Sequence, residues 1–232
     1  MARVDDVKRF YEIIASLGTP VPLGGIGKLS LPKRGVYFFF EDGEMRSTSG
    51  NGPRVIRVGT HALKTGSQSK LKGRLSQHRG KLKDGGGNHR GSIFRLLLGT
   101  AIGKRQPTLA RRTWGEGNSA AKQVMEDEHP MELEVSRCVR AMRIVWLDIP
   151  DNPGPSSQRG YIERHSIGLL SNWNRSENEA VDPPSQDWLG SDCAREKVRR
   201  SGLWNQDWVD FTHEPSFLDV LDSLAAAGRV PA

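Results

Sequence analysis

The sequence predicts an α/β fold, in the α+β sense of a small mixed or antiparallel sheet flanked by helices. Three observations predict it. Short runs rich in Val, Ile and Phe, at 34–41, 54–60 and 141–149, alternate with longer segments whose apolar residues recur at helical spacing. The 232 residues suit one domain with elaborations and can bury a real core. No apolar run approaches the roughly 20 residues needed to span a bilayer.

Residues 5–17 read as an amphipathic helix, with Val7, Phe10, Ile14 and Leu17 on one face, Asp5 as N-cap and Gly18 as the stop. The Pro and Gly of TPVPLGGIGKLSLP make a linker, so 1–33 forms an N-terminal helix and linker. RGVYFFFE (34–41) and RVIRVGT (54–60) are strands joined by the Gly-rich loop EDGEMRSTSGNGP, which gives a β-hairpin. Residues 68–82 are expected to be helical, GSIFRLLL (91–98) a strand, about 118–140 a charged helix, and AMRIVWLDI (141–149) another strand. After the turn cluster DNPGPSS, YIERHSIGLLSNWN (161–174) is again helical. The core is expected over 34–175, with a basic insertion at about 80–140. A Trp-rich extension, 176–232, is read as core and lid for the sheet rather than as a platform for unpaired bases.

Charge is unevenly placed. Residues 54–112 hold 15 Lys and Arg but one acid, Asp84, a local +14 within a chain whose net charge is +7. A basic stripe of this kind points to a polyanion such as DNA or RNA, because Lys and Arg neutralise phosphates and release counterions. The two cysteines, Cys138 and Cys193, match no metal-binding spacing, so a zinc site and a disulfide scaffold are both disfavoured. With acids in its first residues and no signal-peptide apolar region, the chain is expected to be a soluble cytoplasmic protein without membrane attachment.

Within the basic stretch, GRLSQHRG places Arg74 and His78 four apart. At about 100° per residue, His78 falls in the stripe of Leu71, Leu75 and Leu82 while Arg74 sits about 60° to its side. Two groups that can both be cationic at this spacing do not support each other, so the arrangement makes most sense beside an anion. Glu163 is the one acid between Asp151 and Glu177. In the basic insertion, KLKDGGGNHRGSIFR supplies Asn88, His89, Arg90 and Arg95, all able to reach phosphates or base edges. Lys70, Lys72, Arg79 and His61 extend the set expected to contact nucleic acid.

GVYFF, RVIRVGT, GRLSQH and YIERHSIGLLSNWN occur in an order that resembles the GIY-YIG nuclease superfamily, over about residues 34–175. GVY stands for the GIY strand and RVG for the YIG strand; the R-x3-H spacing resembles the type II restriction endonuclease branch. The resemblance implies a metal-dependent DNA endonuclease, of restriction or defence type, that hydrolyses phosphodiester bonds in double-stranded DNA. It implies Tyr37 as general base on water, Arg74 on the scissile phosphate, His78 orienting the phosphate or assisting proton transfer, and Glu163 holding one Mg2+ or Mn2+. It also implies an asparagine after the glutamate, with two candidates. At about 100° per residue Asn174 returns close to the Glu163 face and Asn172 lies opposite, which favours Asn174 if the helix reaches that far.

One position departs from the pattern, since Arg57 stands where the family has the first tyrosine of YIG. Alternation puts Tyr37 opposite Val36 and Phe38, and residue 57 opposite Ile56 and Val58, so Tyr37 and Arg57 can share a face of adjoining strands. A guanidinium there favours a phenolate. The departure also supports an alternative, a nucleic-acid-binding protein of the same fold without catalysis; a nuclease for RNA or repair intermediates is a third reading. Cutting of palindromic DNA makes a homodimer possible.

Overall fold

The first apolar run becomes the centre of the sheet. In this computed structural model, which describes residues 3–228, β2 (Gly35–Met45) pairs on one side with β3 (Pro53–Gly59) and on the other with β4 (Arg143–Asp148). β4 in turn carries a two-residue edge strand, β1 (Val21–Pro22), so the order is β1-β4-β2-β3 with every pair antiparallel. The hairpin expected between residues 34 and 60 is present. The expected linker is partly ordered, however, because it supplies β1 and then a 3-10 helix over Leu23–Lys28, with Leu23 and Ile26 buried.

Both faces of this sheet are covered, which is why β2 reads as an unbroken apolar run rather than an alternating one. Val36, Phe38 and Phe40 pack with Val7 and Phe10 of α1 (Arg3–Ala15), Ile162 of α5 (Gln158–Leu170) and Phe217 of α7 (Phe217–Ala227). Tyr37, Phe39 and Ile56 face the other way, toward α2 (Leu71–Arg79), α3 (Ile93–Arg105) and α4 (Lys122–Ala141). Trp188 and Trp204, flanking the short α6 (Glu196–Ser201), are buried in that same layer, as the core role read for the C-terminal extension requires. Among the described residues no helix is long and apolar enough to cross a membrane.

The motif glycines are dictated by close approach. A Cβ on Gly35 would lie 2.4 Å from the carbonyl oxygen of Leu147 on β4, and one on Gly59 would lie 2.5 Å from the Tyr37 ring and hydroxyl. The register sets this up, pairing Gly59 with Tyr37 across β2 and β3. A β-bulge then intervenes: Phe39 pairs with Arg57 but Phe40 with Val55, leaving Ile56 extra. Simple alternation therefore fails at one point, because Ile56 joins Tyr37 and Phe39 in the core on the Arg57 side.

Several elements differ from expectation. GSIFRLLL is not a strand but the start of α3, capped by Ser92, whose hydroxyl accepts the Arg95 N–H at 3.3 Å. Its buried residues Phe94, Leu97, Leu98, Ala101 and Ile102 continue a helical period past the run itself, and a short apolar run alone cannot distinguish strand from helix. α2 ends at Arg79, so Leu82 lies beyond its apolar stripe and is 66% exposed. α5 likewise ends at Leu170, four residues short of Asn174. α1 is already helical at Arg3, with Asp5 in its first turn rather than capping it.

Candidate active site

The end of β3, α2, α5 and the segment 205–208 enclose a cavity of 410 Å3 that opens on Tyr37, Arg57, Arg74 and Glu163. The tyrosine is placed by β2 and held from behind by α2. Its hydroxyl lies 2.9 Å from His78 Nε2, and His78 Nδ1 lies 2.7 Å from Ser92 Oγ. His78 is fully buried, and burial, reinforced by the positive charges of Arg57, Arg74 and Arg95, holds its pKa well below the ordinary histidine value. It is therefore a neutral imidazole with one ring proton. When that proton sits on Nε2, the Tyr37 oxygen accepts it and the tyrosine's own O–H is free to turn toward the cavity.

Arg57 reaches the same tyrosine from β3. Its guanidinium donates to the Trp204 carbonyl and lies over the Phe94 ring at 4.8 Å, so the departure from the family pattern fills a buried position. Burial lowers its pKa and the adjoining Tyr37 raises it. Arg74, in contrast, is only partly buried. Its Nη1 donates long hydrogen bonds to neutral oxygens, Gln77 Oε1 at 3.2 Å and the Gly91 carbonyl at 3.3 Å, leaving a cation on the cavity wall with no carboxylate partner among the described residues.

Glu163 sits across the cavity on α5. Its Oε1 accepts the Thr60 N–H at 3.0 Å, and Thr60 is fixed in turn by donating its hydroxyl to the Gly35 carbonyl at 2.8 Å. Burial pushes the Glu163 carboxyl up to about 7, with Asp207 adding to the rise and Arg57, the Thr60 amide and Arg74 opposing it. Its anion is thus short of compensating charge. Among the described residues no group of three or more His, Cys, Asp or Glu forms a ready-made metal cage. A single half-buried carboxylate, with Asp207 on the same cavity and space for water and phosphate oxygens, fits a hard octahedral cation such as Mg2+ and does not fit zinc.

The other sequence-predicted positions divide. His61 lines the cavity, and burial and the neighbouring Arg159 push it down to about 4, so it faces the cavity as a neutral imidazole. Lys72 is exposed on α2 and Lys70 is exposed just before it, and Asn88 is exposed while its side chain caps Arg90. The remaining expected nucleic-acid contacts face acids or the interior. His89 Nδ1 lies 3.0 Å from Glu132, Arg90 pairs with Glu128 at 2.6 Å, and Arg95 is fully buried against Glu132. Arg79 is also buried, with its backbone carbonyl bound by Arg140. These acids lie outside the basic stretch, so part of its excess charge is neutralised internally.

Neither candidate asparagine reaches the cavity. Asn172 is buried and exchanges hydrogen bonds with the backbone of Val181, and Asn174 is exposed beyond the end of α5. Asn205 lines the cavity in their place, accepting the Val58 N–H at 3.1 Å and donating to the Val58 carbonyl at 2.8 Å, like one more residue of a strand. No local pattern pointed to Asn205, because its partner is 147 residues away. Ser92 and Thr60 were equally silent, although Ser92 stands where an N-cap belongs once α3 is recognised as a helix.

A search of curated proteins and a search of solved structures each find no match. The family model described as GIY-YIG domain matches residues 1–229, far beyond the motif region and including both terminal elaborations. The domain it describes is that of nucleases, phosphodiester hydrolases that act on nucleic acid and use divalent metal ions. With the family's glycines jammed against Tyr37 and β4, and its arginine and glutamate facing one cavity, that match over almost the whole chain leaves one conclusion: this protein belongs to the GIY-YIG family.

Proposed function

We propose that the chain is a metal-dependent endonuclease that cuts double-stranded DNA, of restriction or defence type. The observation that carries this reading is the convergence of Tyr37, Arg74 and Glu163 on one cavity, from β2, α2 and α5 respectively. Hydrolysis of a phosphodiester needs an activated water, a group for the charge developing on phosphorus, and help for the leaving oxygen. Arg74, with planar donors not committed to any carboxylate, binds the scissile phosphate and stabilises its transition state. Tyr37 takes the proton of the attacking water as general base and passes its own phenolic proton to His78 Nε2, 2.9 Å away, in the tautomer that carries the ring proton on Nδ1. His78, buried behind it, acts through the tyrosine oxygen and not on the phosphate. Glu163 would hold a Mg2+ or Mn2+, which would supply Lewis-acid stabilisation of charge on the leaving oxygen. The exposed Lys70 and Lys72 continue the positive surface along α2.

Both cysteines are free thiols, which suits a reducing cytoplasm, and two-fold cutting of a palindrome suits a homodimer. The test is incubation of the purified protein with unmethylated phage or plasmid DNA, with single-stranded DNA and RNA in parallel, in Mg2+, Mn2+ or EDTA, with Glu163→Ala as control. Discrete metal-dependent duplex fragments absent from the control are expected. A salt-sensitive mobility shift with no cleavage would replace this reading with binding alone.

A further inference from the structure

Of the three tryptophans in the C-terminal extension, Trp188 and Trp204 are buried, but Trp208 is 45% exposed and lines the catalytic cavity. Its backbone lies in the left-handed region at φ 64, where a bulky side chain is a genuine outlier. The surroundings impose that conformation. Asn205 is clamped to Val58 on β3, and the carbonyl of Val209, the next residue, accepts the Ser171 hydroxyl at 2.6 Å. Strain held from both sides at the rim of a site is the pattern of a functional position. Ala62, also on this cavity, is a second non-glycine residue with positive φ, at 57. Next to the indole, Gln206 lines the cavity too, and its Oε1 is buried with no hydrogen-bond partner among the described residues.

We propose that Trp208 is a nucleobase-stacking residue, which receives an unstacked base beside the scissile phosphate while the Gln206 amide meets that base's edge. The proposal rests on the nuclease reading of the same cavity and adds to it a subsite for the base. Every base has a π-face, so an exposed indole at the mouth of a cationic cavity binds it without regard to sequence, whereas a neighbouring amide can read donors and acceptors. Phe211 supports the ring edge-on at 5.8 Å and 87°, which fixes its orientation. Tryptophan emission should therefore be quenched when a base stacks.

The experiment uses the full chain in EDTA, with two probes of equal length and charge: an oligothymidylate strand and the same backbone carrying abasic sites throughout. Wild type is expected to bind the base-bearing strand about fivefold or more tightly than the abasic strand, with quenched emission. Trp208→Ala should lose that preference while keeping its affinity for the abasic strand. Trp208→Gly should do the same with a Tm no lower than that of the wild type, since glycine accepts the left-handed backbone without strain. Trp208→Phe should retain part of the preference. Equal affinity for both strands in wild type, or a preference unchanged in Trp208→Ala, overturns the stacking subsite while leaving the nuclease reading intact. Failure to bind either strand, or duplex DNA, overturns both.

Discussion

Glu163→Gln separates the cost of a buried carboxylate from everything else that titrates in this protein. The folded carboxyl is pushed up to about 7 from an ordinary 4.5, so between those pH values the folded chain keeps a proton that the unfolded chain has released. The sign follows by linkage: the stability this group contributes is fully present below 4.5 and is lost as pH rises through about 7. At about 1.4 kcal/mol per pH unit the loss is about 3 kcal/mol, an upper bound because the side chain borders an open cavity. Gln does not titrate, and its amide oxygen can still accept the Thr60 N–H. The buried histidines slope the other way. The pKa values of His78 and His61 are both lowered, so their stabilisation is present above the ordinary 6.5 and lost as pH falls. They occur in both proteins and cancel in the difference. Urea unfolding in EDTA, followed by circular dichroism from about pH 5 to about pH 8, should show the variant gaining on wild type by up to about 3 kcal/mol. Adding Mg2+ near pH 8 should stabilise wild type, whose carboxylate is then ionised, and leave the variant unmoved. The same pH dependence in both proteins, or equal stabilisation by Mg2+, would refute the proposal that Glu163 is the desolvated, metal-binding acid.

Further outcomes follow from the packing. Gly59→Ala puts a Cβ 2.5 Å from the Tyr37 ring and hydroxyl, so the proposed general base must shift; cleavage rate should fall about 100-fold. Calorimetry of that variant should show an overpacking cost of about 1–3 kcal/mol. Arg95→Ala leaves Glu132 buried without its guanidinium and should cost about 3–5 kcal/mol in urea unfolding, marking Arg95 as a structural cation and not a phosphate contact. Lys72→Ala should do the reverse: unchanged Tm, with the slope of log affinity against log salt for duplex DNA reduced by about 0.9 if this cation meets a phosphate, because the lysine is exposed on α2 and forms no ion pair among the described residues.

The sequence by itself determined the hairpin, the helices α2, α4 and α5, and four residues that line one cavity, Tyr37, Arg57, Arg74 and Glu163. Those signals are local: GVYFFF and RVIRVG are strands by composition, and Arg74 and His78 are fixed relative to each other by helical period alone. What the sequence misassigned depended on length and partners. GSIFRLLL is too short a run to choose between strand and helix, and only its packing as α3 under the sheet decides. Charge was misleading in the same way, because the pairing of Arg90 and Arg95 with Glu128 and Glu132 on α4 turns expected phosphate contacts into internal ion pairs. The stop of α5 at Leu170 removed Asn174 from the helical wheel that favoured it. Tertiary structure alone brought the 205–208 segment, about 40 residues past Glu163, to the rim of the cavity. Its contacts with β3 span 147 residues of chain, and no periodicity in a sequence carries information across such a separation.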